Sequence, residues 1–136
     1  MLIIDGKEYK INEEVAYVGK HICNNVKGYN INFEISFNDG EDKGYLYLNV
    51  GFEKEKDINL FLNKKFTGFN FGEYPFMFLE VCDTKKYLDS EIESEIIVEI
   101  KDLTDEKIGV SINVDDDLIK IKYEENMKLI ERLNAR

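Results

Sequence analysis

The sequence predicts an all-β fold, mainly an antiparallel β-sandwich or barrel of about eight or nine strands, with one or two short helices, one of them at the C-terminus. Two observations support this class. Short runs in which apolar and polar residues alternate recur along most of the chain. The regular succession of strand and helix patterns that a parallel α/β fold requires is absent. With 136 residues, 43% of them hydrophobic, the chain is expected to form a single domain, 1–136.

The first 28 residues contain a hairpin signal and then a segment that fits two structures. Asp5-Gly6, inside MLIIDGKEYKI, is the strongest two-residue hairpin signal in the chain, so we expect a small opening hairpin. After Asn12, a candidate N-cap, apolar residues recur at helical spacing and Gly28 would end the helix. A strand over 15–23 is the alternative, because β-branched residues weaken a helix. The apolar residues at helical spacing are Val15, Val18, Ile22 and Val26.

The clearest strand is YNINFEISF, residues 29–37, in which aromatic or aliphatic residues alternate with polar ones. YLYLNVGF, residues 45–52, places its leucines on one face, and the turn-forming stretch NDGEDKG between the two runs predicts a hairpin with a long loop. DINLFLNKKF fits either a short helix capped by Asp57 or a strand. YPFMFLEVC is a continuous apolar run with Pro75 near its start, which is typical of a strand covered on both faces.

Three alternating runs near the C-terminus, IESEIIVEI, KIGVSINV and LIKIKY, predict a three-stranded antiparallel meander. The first strand carries Glu93, Glu95 and Glu99 on one face, and the second strand separates them from Lys120 and Lys122. The acidic strand is therefore uncompensated unless another strand supplies positive charge. The tail EENMKLIERLNAR predicts a short terminal helix. Its apolar residues, three apart, are Met127, Ile130 and Leu133.

The net charge of −10 is concentrated in the second half of the chain: residues 1–68 carry −2 and residues 69–136 carry −8. The densest acidic window is 89–117. Such a field repels nucleic acid phosphates and anionic membranes, so neither is an expected partner. The same field attracts a basic protein or a cation.

The compartment follows from what the sequence lacks. No apolar run approaches the roughly 20 residues that span a bilayer, and MLII is too short for the core of a signal peptide. We therefore expect a soluble, cytoplasmic protein. In a reducing compartment Cys23 and Cys82 are expected to remain thiols, with one disulfide between them as the alternative.

Candidate catalytic residues are few. The one histidine, His21, forms the pair HIC with Cys23, and the two side chains share a face only if the segment is a strand. A zinc site needs three or four close ligands, and an enzyme built from His21 with Cys82 or Cys23 lacks a local nucleophile motif. Phosphate-loop, dinucleotide, metalloprotease and kinase signatures are also absent. We predict no catalytic residue and no cofactor.

Three consecutive aspartates, Asp115, Asp116 and Asp117, raise the question of a metal site. Calcium takes six to eight oxygens, usually from alternate positions with a distant carboxylate, and adjacent aspartates between two strands point in different directions. Aspartate is common in turns because it hydrogen-bonds its own backbone. The sequence therefore predicts a plain turn and no metal site.

The stretch FTGFNFGEYPFMF concentrates aromatic residues. We expect it to belong to the core, including a loop folded over an open end of the sandwich or barrel. The alternative is a groove for a partner or an apolar ligand, since exposed aromatic patches mark interaction sites. The ligand-binding residues in that alternative are Phe66, Phe69, Phe71 and Phe76.

Three functions are consistent with these patterns. The first is a non-catalytic interaction module that binds a basic protein through Glu93, Glu95, Glu99, Tyr74 and Tyr87. Small acidic cytoplasmic proteins of this kind look like toxin-neutralising immunity or inhibitor proteins in general character, although no motif identifies such a family. The second is a small β-barrel or sandwich that binds an apolar ligand. The third is a cysteine- or histidine-dependent enzyme.

Overall fold

The computed structural model describes residues 1–23, 26–53, 65–68, 76–82, 87–89 and 96–132. These residues form ten strands: β1 (Leu2–Ile4), β2 (Lys7–Cys23), β3 (Val26–Asp39), β4 (Asp42–Glu53), β5 (Lys65–Gly68), β6 (Phe76–Cys82), β7 (Tyr87–Asp89), β8 (Ile96–Leu103), β9 (Lys107–Asp115) and β10 (Lys120–Arg132). All ten belong to one sheet, curled into a half-barrel, in the order β5-β8-β9-β10-β1-β2-β3-β4-β6-β7. Neighbours in this order pair antiparallel, and β10 also pairs with β2 in parallel. The predicted all-β class is confirmed.

The predicted opening hairpin is confirmed, with Ile4 opposite Lys7 across a two-residue turn. Asp5 and Gly6 both have positive φ, 51° and 82°, as a type I′ turn requires. The turn is anchored to the start of β10. The backbone nitrogen of Asp5 donates to the carbonyl of Lys120 at 2.8 Å, and the nitrogen of Lys120 donates to Asp5 Oδ1 at 2.9 Å.

The helix predicted after Asn12 is wrong, and the alternative strand is right, because β2 runs without a break over Lys7–Cys23. The strand contains a β-bulge between Ile11 and Glu13, which shifts its alternation by one residue. Before the bulge Tyr9 and Ile11 pack against the core, and after it Glu14 and Ala16 are opposite buried residues of β3. The apolar residues that suggested a helix lie on both faces of the strand, since Val15 is opposite Glu34 and Val18 is opposite the buried Ile31.

The predicted hairpin of β3 and β4 is confirmed, but its loop is short. Asp39 is paired with Asp42, so only Gly40 and Glu41 form the turn. Gly40 has a φ of 66°, which costs a glycine little. Most of the polar stretch that predicted a long loop therefore extends the two strands.

The described part of β6 is covered on one face, where the sequence favoured a strand covered on both. Leu79 and Val81 are fully buried, whereas Glu80 and Cys82 between and after them are half-exposed. For the ambiguous segment DINLFLNKKF, only its last two residues lie within the described chain, where they begin β5.

The predicted meander is confirmed: β8, β9 and β10 are consecutive in the sheet. The predicted C-terminal helix is wrong within the described residues, because β10 continues to Arg132. It pairs with β9 up to Lys128 and with β2 beyond that point. These two ladders override the three-residue spacing of the tail, and Met127 is buried on the same face as Tyr123.

The core lies on one face of the curled sheet and draws on nearly every strand with described side chains. Full burial of a large apolar side chain contributes roughly 1.5–3 kcal/mol to the stability of the fold. The largest fully buried side chains are Tyr123, Phe33, Phe37, Leu2, Ile31, Ile35, Leu46, Leu48, Leu79 and Ile96. Among the described residues, no helix has the length and apolar character that crossing a membrane requires.

Candidate functional site

The predicted acidic strand has lysines beside it. Glu99 lies in β8, and Lys101 Nζ is 3.9 Å from its Oε1. Lys101 Nζ also lies 2.6 Å from Glu124 Oε1 on β10, and this hydrogen bond lowers the pKa of the Glu124 carboxyl. On the other side of β8, the strand β5 places Lys65 opposite Glu99 in register. Glu93 and Glu95 lie outside the described residues.

Within the described residues, the outer face of β8, β9 and β10, opposite the core, is close to neutral. Four carboxylates lie on it together with five lysines, so the described part of the acidic window does not form an acidic surface on these strands. The carboxylates are Glu99, Asp102, Asp115 and Glu124, and the lysines are Lys101, Lys107, Lys120, Lys122 and Lys128.

The aromatic residues predicted as anchors or ligand contacts are only partly within the described chain. Tyr87 is in β7, opposite Cys82, at the far end of the strand order from β8. The backbones of Phe66 and Phe76 lie in β5 and β6. Tyr74, Phe69 and Phe71 lie outside the described residues.

A different surface, on the outer face of β2, β3, β4 and β6, combines negative charge with aromatic residues. Strand pairing arranges it in three rows: Glu13, Ser36, Tyr45 and Cys82; then Val15, Glu34, Tyr47 and Glu80; then Tyr17, Asn32 and Asn49. We call these eleven side chains the outer-face patch. They include three glutamates and three tyrosines, and none of the eleven is a lysine or an arginine.

An open depression of about 390 Å³ lies in the middle of the outer-face patch. It is lined by the central row of the patch, Glu34, Tyr47 and Glu80, one residue from each of β3, β4 and β6. Asn32 and Asn49 line the rest of it. The Tyr47 side chain is one of the few large hydrophobic side chains among the described residues that remain exposed, at 37%.

Tyr45 supports the ring of Tyr47. The two rings stack with centroids 4.6 Å apart and planes 25° from parallel. Desolvation, followed by the nearby Glu80 and Cys82, which also share hydrogen bonds with the phenol, raises the pKa of Tyr45 to about 12. Tyr45 is therefore a neutral hydroxyl at physiological pH and holds Tyr47 from one side.

Amide side chains give the depression a polar wall. Asn32 Nδ2 donates to Glu34 Oε2 at 3.2 Å, and Asn30 Nδ2 donates to Asn49 Oδ1 at 3.4 Å. Both contacts are half-buried. They restrict the conformations of these amides and of one carboxylate.

Cys82 lies far from both His21 and Cys23, whereas an enzyme that uses Cys82 with His21 requires the two side chains to be in contact. Cys82 pairs with Tyr45, Tyr45 with Ser36, and Ser36 with Glu13 of β2, so these four residues form one row across the sheet. His21 is eight residues further along β2 than Glu13. At about 3.3 Å per residue this is roughly 26 Å along the strand. Cys23 lies further along still, beyond the roughly 7 Å that a disulfide spans. Cys82 is a half-buried thiol.

The three aspartates form a turn, and Asp116 determines its shape. Its Oδ1 accepts a hydrogen bond from the backbone nitrogen of Leu118 at 2.9 Å, and its own nitrogen donates to the carbonyl of Ile119 at 3.1 Å. Asp115 Oδ1 lies 2.8 Å from Lys120 Nζ. The predicted backbone-bonding role of aspartate is confirmed for Asp116. In the part of the chain that the structure describes, no three His, Cys, Asp or Glu side chains are grouped so that they could hold a metal ion.

The chemistry of the outer-face patch suits a cation. Tyrosine rings offer flat apolar area with a polar tip, and carboxylates and amides accept hydrogen bonds. The sequence analysis identified the polar face of β3 but not this surface. Its signal is the alternation in YLYLNVGF, whose leucines face the core and whose tyrosines must therefore face outward. The row that joins Glu34 to Glu80 through Tyr47 depends on the pairing of β4 with β6, which local patterns do not reveal.

No family model matches the chain, and neither the curated proteins nor the solved structures contain a significant match.

Proposed function

We propose that this chain is a non-catalytic cytoplasmic interaction module that binds a basic protein, as immunity and inhibitor proteins do in general character. The observation that carries the proposal is the composition of the outer-face patch: three glutamates, three tyrosines and no lysine or arginine among its eleven side chains. Glu13, Glu34 and Glu80 supply the negative charge. Tyr17, Tyr45 and Tyr47 supply the aromatic area.

Both components act in known ways at protein interfaces. Tyrosine is enriched at the positions that contribute most to binding, because a large rigid side chain loses little conformational entropy. Carboxylates that face a basic partner speed association and weaken wrong encounters, and their effect decreases with salt. The net charge of −10 adds long-range attraction for the same class of partner.

The patch is a more specific candidate than the acidic strand. Around Glu99 the outer face already contains Lys101, so a basic partner would compete with an internal cation. Among the eleven side chains of the outer-face patch, those beside Glu34 and Glu80 are tyrosines, asparagines, Ser36, Val15 and Cys82, and none is a lysine or an arginine. The partner contacts predicted from the sequence at Glu93, Glu95, Tyr74 and Tyr87 remain predictions, as an alternative binding surface or as an extension of this one.

Two triple variants of equal charge test this proposal. Glu13→Lys, Glu34→Lys and Glu80→Lys together change the net charge from −10 to −4, since each substitution adds two, and so do Glu93→Lys, Glu95→Lys and Glu99→Lys. Long-range attraction therefore falls equally in both. The probe is a labelled nonapeptide that carries both lysine and arginine, titrated by fluorescence anisotropy at low and at physiological ionic strength.

We expect the first triple variant to lose far more affinity than the second while both retain the circular dichroism spectrum of the parent. Equal losses would mean that the peptide senses only net charge and would overturn the patch as the site. A larger loss in the second variant would transfer the site to the acidic strand. Amide chemical-shift mapping of the parent with the same peptide locates the contact directly.

A further inference from the structure

The central row of the patch places one aromatic ring between two carboxylates. Tyr47 is paired with Glu34 on one side and with Glu80 on the other. Adjacent strands are about 4.8 Å apart, so the backbones that carry the two glutamates are separated by roughly 10 Å, with the tyrosine in the middle. A flat cation that lies on the ring would have a carboxylate within reach at either edge.

Only one face of the Tyr47 ring is available for such a contact. Tyr45 is stacked on one side of it, at 4.6 Å between centroids. The depression is lined by Tyr47 together with Asn32 and Asn49, and Tyr45 is not part of that lining. The open face of the ring therefore borders the depression, with the amides of two asparagines around it.

From this arrangement we infer that the depression accepts an arginine side chain of the basic partner. The inference rests on the proposed function and narrows it to the group that is recognised. A guanidinium is planar, stacks on tyrosine, and directs five N–H donors outward in its own plane. The Tyr47 ring would stack on the face of the guanidinium, and the carboxylates and amide oxygens would accept hydrogen bonds from the N–H groups along its edge.

Lysine fits the same site less well. Its ammonium is a compact charge that can approach one carboxylate or the ring, but it cannot stack and reach both edges at once. It also carries a tighter hydration shell, which it would have to lose against Tyr47. Long-range attraction is the same for both residues, so a preference between them reports the local geometry of the depression.

The experiment compares nona-arginine with nona-lysine, equal in length and charge, on the whole chain at physiological ionic strength. The variants are Tyr47→Leu, which removes the aromatic face, and Tyr47→Phe, which keeps it. Leu118→Ala is the control for losing an exposed apolar side chain elsewhere, since Leu118 is 45% exposed in the β9–β10 turn. Affinities are measured by calorimetry, and the contact is located by chemical-shift mapping.

We expect nona-arginine to bind the parent roughly fivefold tighter than nona-lysine, the size of a stacking contact at an exposed site. Tyr47→Leu should abolish this preference with little change for nona-lysine, whereas Tyr47→Phe and Leu118→Ala should retain it. Equal affinities of the parent for both peptides, with shifts at the patch, would overturn the arginine site and leave the proposed function standing. A preference that survives in Tyr47→Leu would also overturn it. Shifts confined to other surfaces would overturn both.

Discussion

The Tyr123 hydroxyl donates a hydrogen bond to Glu14 Oε2 at 2.5 Å and so joins β10 to β2 on the core face of the sheet. The bulge in β2 is what turns Glu14 inward, where it lies opposite Ile35. Tyr123 is buried and Glu14 half-buried, and Tyr123 is opposite Leu2, the first residue of β1, which lies between the two longer strands. Desolvation, followed by the hydrogen bond to Glu14, raises the pKa of Tyr123 above its usual range. This pair is a polar contact set in an otherwise apolar layer.

Removing the tyrosine hydroxyl should destabilise the fold. In Tyr123→Phe the Glu14 carboxylate stays half-buried without its donor, and leaving such a group unsatisfied costs about 1–3 kcal/mol. Urea unfolding at neutral pH measures the change in the free energy of unfolding. Tyr47→Phe is the matched control, because its hydroxyl is on the exposed face, and we expect a change within about 0.5 kcal/mol there. Equal effects in the two variants would contradict a special role for the pair.

Neutralising Glu14 should stabilise the fold at neutral pH. Burial raises the pKa of Glu14, against the opposing hydrogen bond from Tyr123 and with a further rise from Glu125. Because the folded pKa lies above the unfolded one, the native state holds this proton more tightly, and the associated stability is lost as pH rises through the folded value. Glu14→Gln copies the protonated form and can still accept from Tyr123.

The difference in stability between Glu14→Gln and the parent, measured as a function of pH, tests whether folding raises the pKa of Glu14. The stability of Glu14→Gln relative to the parent should increase as pH rises through the raised pKa, and should level off once the parent carboxyl is protonated below its ordinary unfolded pKa of 4.5. Urea unfolding of both proteins at several pH values gives the curve. Contributions from carboxylates that do not interact with Glu14 cancel in the difference. A relative stability independent of pH would show that Glu14 does not titrate differently in the folded state.

Local patterns predicted those strands whose alternation is regular. The second and third strands of the meander and the β3–β4 hairpin have regular alternation, and the faces assigned to Ile112, Val114 and Lys122 are the observed ones. The helices were predicted where a long-range feature overrides the local period. In β2 that feature is the ladder with β3, which continues to Cys23, and in β10 it is a second ladder with β2 that begins at Lys128, more than a hundred residues from its partner Val15 in the sequence.

The site could be predicted only in part, because charge along a sequence is not charge on a surface. In the acidic window, Glu99 lies beside Lys101, which is at a bulge in β8. The Lys101 side chain extends across β9 and contacts Glu124 on β10. The outer-face patch arises in the opposite way, since Glu34 and Glu80 are distant in sequence and become neighbours of Tyr47 only through strand pairing. Neither outcome is contained in a local window.

The stability of the aspartate turn should depend on Asp116 and not on Asp117. Asp116→Ala removes the acceptor of the Leu118 N–H and should cost about 1 kcal/mol, whereas Asp116→Asn keeps an acceptor and should cost less. Thermal unfolding of Asp117→Ala, an exposed residue, is the control and should match the parent. Millimolar calcium added to metal-stripped protein should leave the midpoint unchanged, because Asp115 and Asp116 are engaged within the chain. A large calcium-specific rise would contradict this account.

The close approach of β4 to the core makes Gly44 intolerant of a side chain. A Cβ at this position would lie 2.5 Å from Cε2 and Cζ of Phe37 and 2.9 Å from the carbonyl oxygen of Cys82. The ring is fully buried and the carbonyl belongs to a paired strand, so neither can move freely. Gly44→Ala should therefore destabilise the fold by about 1–3 kcal/mol or more, as overpacked cores do. Urea unfolding measures it, and the double variant Gly44→Ala with Phe37→Leu should recover part of the loss, because the smaller side chain vacates the contact. A double variant whose loss equals the sum of the two single losses would contradict a steric origin, since residues that clash directly must couple.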